Sequence, residues 1–353
     1  MFGAKAKFKA KQWIVALSIA LVTFVGVTGW QNNSIADAVA QTSTATELQT
    51  IAQAPAKPEG NVNLQAAGLK LQELGKGVYA LVSSYDFGGD SNYAICNAGI
   101  IIGSEGVLVI DPFQTPALAD LAFATVKTLT DKPIKYVLNT HYHLDHTGGN
   151  PAARKLGIPI IGRGLIREYF ASRRGSLSGA GELAAPDLVI NADTEIYLGD
   201  RLVQLKRAEG HSSGTDVVAY VPDAKVLFTG DIVFSKTIPF VGDGDIRQWQ
   251  GSLYRLITTY PDAQVVPGHG GTTDVKGLQE QQAFFSDLEK LALSWKAQGL
   301  TKEQAIAKSS TIPDPYKDYK FKPLYASAVP RLPNNLETAY EQFSRSSLIP
   351  LVP

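Results

Sequence analysis

The chain is poor in cysteine and histidine and has no excess of either charge. Its 353 residues include one cysteine, Cys96, which excludes an internal disulfide framework. Cys96 sits in the apolar run "NYAICNAGIII", which reads as a buried strand, so the thiol is read as a small core hydrophobe. Lys plus Arg equals Asp plus Glu at 33 each, and a net charge of zero gives no electrostatic case for nucleic acid as a partner. No cysteine lies just after the one long apolar run, residues 13–30, and this excludes a lipoprotein anchor. No short-period repeat is present either. Only five histidines occur, three of them in the stretch "NTHYHLDHTGGN".

The chain begins with Lys5, Lys7, Lys9 and Lys11 and no acid, followed by the apolar run and then by Ala38-Val39-Ala40. That is the layout of a secretory signal. At about 18 residues the run is also long enough to span a bilayer as an uncleaved anchor. Either outcome puts the rest of the chain on the exported side, periplasmic or extracellular. Residues 1–40 are therefore assigned to the signal or anchor. Residues 41–66, rich in Ala, Thr, Gln and Pro without an apolar period, read as a flexible linker.

From Leu69 the texture becomes short apolar runs bounded by Gly or Asp. "LKLQEL", "GVYALVSS", "NYAICNAGIII", "GVLVIDPF" and "IKYVLNT" read as strands, with the helix "PALADLAFATVKTL" before the last. A second strand set, "TEIYLG", "RLVQLKRAEG", "TDVVAYVP" and "KVLFTGD", precedes "IRQWQGSLYRLITTY" and the long amphipathic "VKGLQEQQAFFSDLEKLALSWKAQG". Two mostly antiparallel strand sets, each followed by helices, fit two face-to-face sheets with helices outside. The expected class is α+β, with a catalytic domain over 67–300 and a C-terminal helical extension over 301–353.

If "IKYVLNT" runs as a strand to the motif, alternation points His141 and His143 to one side and Tyr142 and Leu144 to the other. Two imidazoles so placed can grip one metal ion, while Asp145 and His146 turn away toward a second. The other histidines, His211 in "AEGHSSGTD" and His269 in "PGHGG", and Asp231 in "FTGD", each read as lying just after a strand in a Gly-containing loop. Imidazole and carboxylate suit zinc, and iron or manganese also accept them. Seven candidate ligands are too many for one tetrahedral ion and suit two. A loop that needs only solubility would use Asn, Ser, Lys or Glu instead.

"THYHLDHTGG", "GHSSGT", "FTGD" and "PGHG", in this order, resemble the metallo-β-lactamase superfamily, and "VLVIDPF" with Asp111 resembles its first motif. The resemblance runs from about Leu69 to Lys290. It implies a four-layer αβ/βα sandwich with two zinc ions between the sheets at one edge. His141, His143 and His211 would hold the first ion, and Asp145, His146 and His269 the second. Asp231 would bridge both, and Asp111 would position the ligand loop. Class B β-lactamases usually carry Cys or Ser where Asp231 stands, and a substrate-gripping Lys where Phe234 stands. Asp at that position resembles glyoxalase II and lactonases.

The function that follows is an exported dinuclear zinc hydrolase of a small ester, thioester, lactone or β-lactam. A pair of bound ions would supply a hydroxide for attack on the carbonyl, with Asp145 expected to orient it and shuttle its proton. The alternatives are a class B β-lactamase proper and an iron-dependent redox enzyme resembling persulfide dioxygenase. Flavodiiron sites, which usually carry Glu where His143 stands, fit less well. A dead scaffold is disfavoured because all seven ligand positions are occupied. Tyr85, Phe87 and Lys236 are candidate substrate contacts, with Arg247 a further candidate for a substrate carboxylate. Arg167, Tyr169, Arg173 and Arg174 point weakly to an anionic substrate.

Overall fold

The computed structural model describes residues 62–84, 92–173, 183–212, 214–308 and 331–344. The signal or anchor segment, most of the linker, Tyr85, Phe87 and Arg174 lie outside the described residues. A 3-10 turn at Gln65–Ala67 leads into β1 (Leu69–Gly75), β2 (Val78–Ser83), β3 (Ala98–Ile102) and β4 (Val107–Ile110). After α1 (Pro116–Leu129) come β5 (Ile134–Leu138), α2 (Leu144–Thr147), α3 (Asn150–Lys155), β6 (Ile160–Arg163), α4 (Ile166–Arg173) and β7 (Leu188–Ile190). The second half holds β8 (Thr194–Tyr197), β9 (Leu202–Arg207), β10 (Val217–Val221), β11 (Val226–Phe234), α5 (Ile246–Thr259) and β12 (Gln264–His269). It closes with α6 (Val275–Ala297), α7 (Lys302–Lys308) and α8 (Arg331–Ser344).

β1 to β7 form one seven-stranded sheet in sequence order, and β12-β11-β10-β9-β8 form a five-stranded one. The central strands, such as β4 and β11, are buried on both faces, and their side chains divide accordingly. In β4, Val107 and Val109 face α1 and α3, while Leu108 and Ile110 face the other sheet. In β11, Val226 and Phe228 point between the sheets and Leu227 points toward α5 and α6. A strand covered on both sides reads as a continuous apolar run rather than an alternating one. The layers are helix, sheet, sheet, helix: the α+β sandwich expected.

The helix starts are chemically marked. Thr115 caps α1 by accepting from Leu118 N, with Pro116 in the first turn. Asp245 caps α5 through Gln248 N, and Asp274 caps α6 through Lys276 N.

Several expectations need correction. The larger sheet is not mostly antiparallel, because β4 to β7 run parallel. Its last strand, β7, lies in a segment with no clear sequence pattern. β5 stops at Leu138, so strand alternation is not what aims His141 and His143. Asn139 leaves the sheet to bond Asn150 and the His146 carbonyl. Asp231 lies inside β11, and His269 is the last residue of β12. Cys96 precedes β3 rather than lying on it. There the Asn97 side chain takes up Ser83 N and the carbonyls of Pro267 and Gly270, pulling the chain out of the ladder.

Candidate metal centre

The parallel strands β4, β5 and β6 end at one edge of the large sheet, and β11 and β12 end at the facing edge of the small one. Loops at strand carboxyl ends are where open parallel sheets commonly place ligands. The short loop after β5 carries His141 and His143, and α2 carries Asp145 and His146. The loop after β9 carries His211. Within β11, Gly230 adopts φ 49° and packs so tightly on Thr140 that a Cβ would lie 2.3 Å from Thr140 Oγ1. Pairing with β12 is irregular on both sides of Gly230, and this local kink brings Asp231 to the crevice.

The structure brings all seven candidate ligands together in two groups. One is His141, His143, His211 and Asp231, and the other is Asp145, His146, Asp231 and His269. Within each group the ligand atoms lie within 4.8 Å of one another. Asp231 belongs to both and divides its oxygens between them. Oδ2 is 3.8 Å from His141 Nε2 and 3.5 Å from His211 Nε2, whereas Oδ1 is 3.1 Å from His146 Nε2 and 3.2 Å from His269 Nε2. Asp145 Oδ2 completes the second group at 3.4 Å from His146 Nε2 and 3.2 Å from His269 Nε2. Donors about 2.0–2.1 Å from one tetrahedral ion sit about 3.3 Å apart, which is the spacing of the second group.

The outer nitrogens of these imidazoles are engaged, which leaves the inner ones as lone-pair donors. His146 Nδ1 donates to Asp111 Oδ2 at 2.8 Å, and His269 Nδ1 donates to the Ile95 carbonyl at 2.8 Å. His143 Nε2 donates to Asp243 Oδ2 at 3.0 Å, which turns its Nδ1 inward. Thr140 Oγ1 donates to Asp111 Oδ2, so it accepts from His141 Nδ1 at 3.0 Å. Asp216 Oδ2 accepts from the backbone N–H groups of His211 and Ser212 and holds that loop. Partners of this kind set the tautomer and aim of a ligating histidine.

His141 Nε2 and His211 Nε2 are buried with no hydrogen-bond partner. Such atoms are costly unless something accepts their lone pairs. Burial pushes the Asp231 and Asp145 carboxyls up, yet the surrounding imidazoles outweigh it and hold both well below the usual carboxylate range. Burial, then neighbouring imidazoles, depress His141, and burial depresses His143 despite its bond to Asp243. His146 and His269 are shifted upward: burial acts against this, but adjacent acidic groups prevail. Buried carboxylates surrounded by inward-facing imidazoles call for cationic charge, and divalent ions fit the donor set.

Asp111 does more than turn a strand end. It holds φ 51°, accepts from Thr140 N as well as Thr140 Oγ1, and binds His146. Asp111→Asn tolerates that backbone but presents an amide to two donors. We predict a 10–100-fold weaker metal affinity for the His146 group, measured by competition with a chelator, in a protein that still folds. Unchanged affinity would remove this role.

The other candidates are placed as follows. Lys236 Nζ lies 2.6 Å from Glu280 Oε2 on α6, in an exposed pair. Arg247 stands 5.0 Å over the Phe343 ring and 3.9 Å from Glu289. Arg167 donates to the Pro186 carbonyl. Tyr169 stacks on Tyr142 at 4.3 Å, and Tyr142 meets His143 edge-on at 4.6 Å. Arg173 ends α4, and its side chain is outside the described residues. Phe234 stacks on His269 at 5.0 Å, and the Cys96 thiol, pushed up by burial, donates to the Asp145 carbonyl at 3.0 Å. Sequence reasoning missed Asp243. "VGDGD" offers two acids in a turn, and nothing local tells the helix cap Asp245 from the histidine partner Asp243. His143 and Asp145, 15% and 12% exposed, are the solvent-facing members of the cluster and mark the side of approach.

The metallo-β-lactamase superfamily family model matches residues 93–269. Among curated proteins, the probable metallo-hydrolase YqgX of Bacillus subtilis is 31% identical over 202 residues, covering 54% of this chain and 92% of that protein. The hydroxyacylglutathione hydrolase of Brucella ovis is 28% identical over 206 residues, covering 57% of this chain and 73% of that protein. Among solved structures, a metallo-β-lactamase from Pontibacter korlensis is similar with a TM-score of 0.54 and 25% identity, over 62% of this chain and 99% of that one. VMB-1 is similar with a TM-score of 0.53 and 26% identity, over 63% and 98%.

Proposed function

Since the chain belongs to the metallo-β-lactamase superfamily as a hydrolase, we propose that it is an exported dinuclear zinc enzyme cleaving a small acyl substrate: an ester, thioester, lactone or β-lactam. One observation carries this reading: two four-residue ligand groups share Asp231, one oxygen to each. When bound, a pair of divalent ions supplies Lewis-acid polarisation of a carbonyl and an acidified water. In this reading His141, His143, His211 and Asp231 hold one ion, and Asp145, His146, His269 and Asp231 the other. Asp145, at the solvent side, has a carboxylate kept ionised by His146 and His269, so it can accept a hydrogen bond from a water and orient it, and in this reading it also relays that water's proton. Asp111 and Asp243 hold His146 and His143 in the tautomers that offer lone pairs inward. Phe234 and Trp249, both buried, close the rear of the site around His211 and His269 and exclude water there.

Phe234 bears on the substrate class. Where class B β-lactamases usually carry a lysine for the β-lactam carboxylate, this chain packs an aromatic ring on a candidate ligand. That favours esters, thioesters and lactones over β-lactams, and the hydroxyacylglutathione hydrolase relative leans the same way. Export rests on the Lys-rich start and the apolar run at 13–30.

The test combines metal analysis with a substrate panel of nitrocefin, S-lactoylglutathione, a homoserine lactone and p-nitrophenyl acetate. The expected result is two zinc ions per chain and turnover of an acyl substrate other than nitrocefin. One iron per chain with oxygen uptake would overturn the reading in favour of redox chemistry. Recovery of the chain solely from the cytoplasm would overturn export.

A further inference from the structure

Asp243 and Phe240 lie in the segment that joins β11 to α5. Apart from a turn closed by Gly244 N on the Val241 carbonyl it has little regular structure, so most of its backbone polar groups must find partners elsewhere. Much of that support comes from the C-terminal helix. On α8, Asn335 and Gln342 stand seven residues apart, two turns along one face. Asn335 is fully buried, and its Nδ2 donates to the Pro239 carbonyl at 2.8 Å. Gln342 spans the end of the segment: Oε1 accepts from Ile246 N at 2.9 Å, and Nε2 donates to the Gly244 carbonyl at 2.8 Å. Ile246 N belongs to the first turn of α5, where an amide has no partner within its own helix. Apolar residues from both elements share one core, with Ile238, Val241 and Ile246 of the segment packed among Leu336, Ala339 and Phe343 of α8.

The segment in turn touches both histidine loops. Asp243 bonds His143 Nε2, and the Phe240 ring lies 5.8 Å from His143 and 6.5 Å from His211. Gly244 lies so close to the His211 loop that a Cβ there would meet the Gly210 carbonyl at 2.3 Å, and Asp245 N donates to that same carbonyl at 2.9 Å. A continuous chain of contacts therefore runs from α8 to His143 and His211.

We propose that α8 is a strap for the first metal group, with Asn335 and Gln342 as positioning residues that hold the Pro239–Asp245 segment so that Asp243 orients His143. This rests on the reading of His143 as a metal ligand. α8 is held from its far side by Lys302, which pairs with Glu337 and Glu341, and by the Tyr340 hydroxyl on the Leu300 carbonyl. Those contacts do not touch the segment, so they separate strapping from general stability.

The experiment uses the full chain with Gln342→Ala and with Asn335→Ala, and Tyr340→Phe as the control. Amide hydrogen exchange across 238–246 and zinc dissociation constants from chelator competition are both measured. The strap predicts faster exchange in the segment for the two amide variants. It also predicts one of two zinc equivalents held about ten-fold less tightly, the effect typical of losing a ligand's outer partner. Tyr340→Phe should leave zinc affinity at the wild-type value. Gln342 is only half-buried, so its variant carries the test alone if Asn335→Ala fails to fold. Wild-type zinc affinity in Gln342→Ala, with or without faster exchange, would overturn the strap. An equal loss in Tyr340→Phe would also overturn it, by showing a stability effect. A wild-type chain that takes up no zinc would overturn the metal reading itself, and the strap with it.

Discussion

Asp231→Ala should remove more metal binding and turnover than any other single change in this chain. Asp231 offers Oδ2 to one ligand group and Oδ1 to the other, so its loss takes a donor from both at once. It also leaves four imidazoles in a buried site without the carboxylate that faces them all. Removing an outer partner of a metal ligand costs 10–100-fold in affinity, and a shared direct ligand costs more than about 100-fold at each group. The expected result is loss of both zinc equivalents in competition with a chelator and loss of turnover, in a protein with a native near-ultraviolet circular dichroism spectrum. Retention of one tightly held ion would show that Asp231 serves a single group.

Asp145→Asn should separate binding from chemistry. Asp145 belongs only to the second group, so His141, His143, His211 and Asp231 are left intact. The amide keeps the shape of the side chain but cannot be ionised, whereas the Asp145 carboxylate is held well below the usual range by His146 and His269. Losing a positioned general base costs roughly 10²–10⁴-fold in rate. Turnover should fall by that much while at least one zinc equivalent stays bound, measured as kcat beside metal content. Wild-type turnover in the folded variant would leave Asp145 without a role in proton transfer.

The layers of the fold were readable because the central strands of both sheets are covered on both faces. Runs such as Val107–Ile110 can be nothing but buried, and Thr115-Pro116, Asp245 and Asp274 mark the helix starts by their own side chains. The misreadings occur where a distant contact overrides local preference. β5 stops at Leu138, short of the expected run through Asn139 and Thr140, where the Asn139 side chain bonds Asn150. Strand geometry in β11 continues past Gly230 because its kink is accommodated by Thr140, some 90 residues earlier in the chain. β7 is three residues, Leu188–Ile190, paired to β6, and a strand that short has no period to detect.

The sequence by itself determined the donor set of the centre. Five histidines and two aspartates lie at or near strand ends, and their residue types make a donor set that suits divalent metals. Only the tertiary structure decided how the set is arranged: which oxygen of Asp231 faces which group, and which nitrogen of each imidazole faces the cluster. It also revealed that Asp243 holds His143 and that the C-terminal helix holds Asp243's segment. Donor type is a property of single residues and survives in one dimension. Tautomer and aim depend on hydrogen bonds such as His143 to Asp243 and Gln342 to Gly244, which join residues 100 and 98 positions apart and leave no local pattern in the sequence.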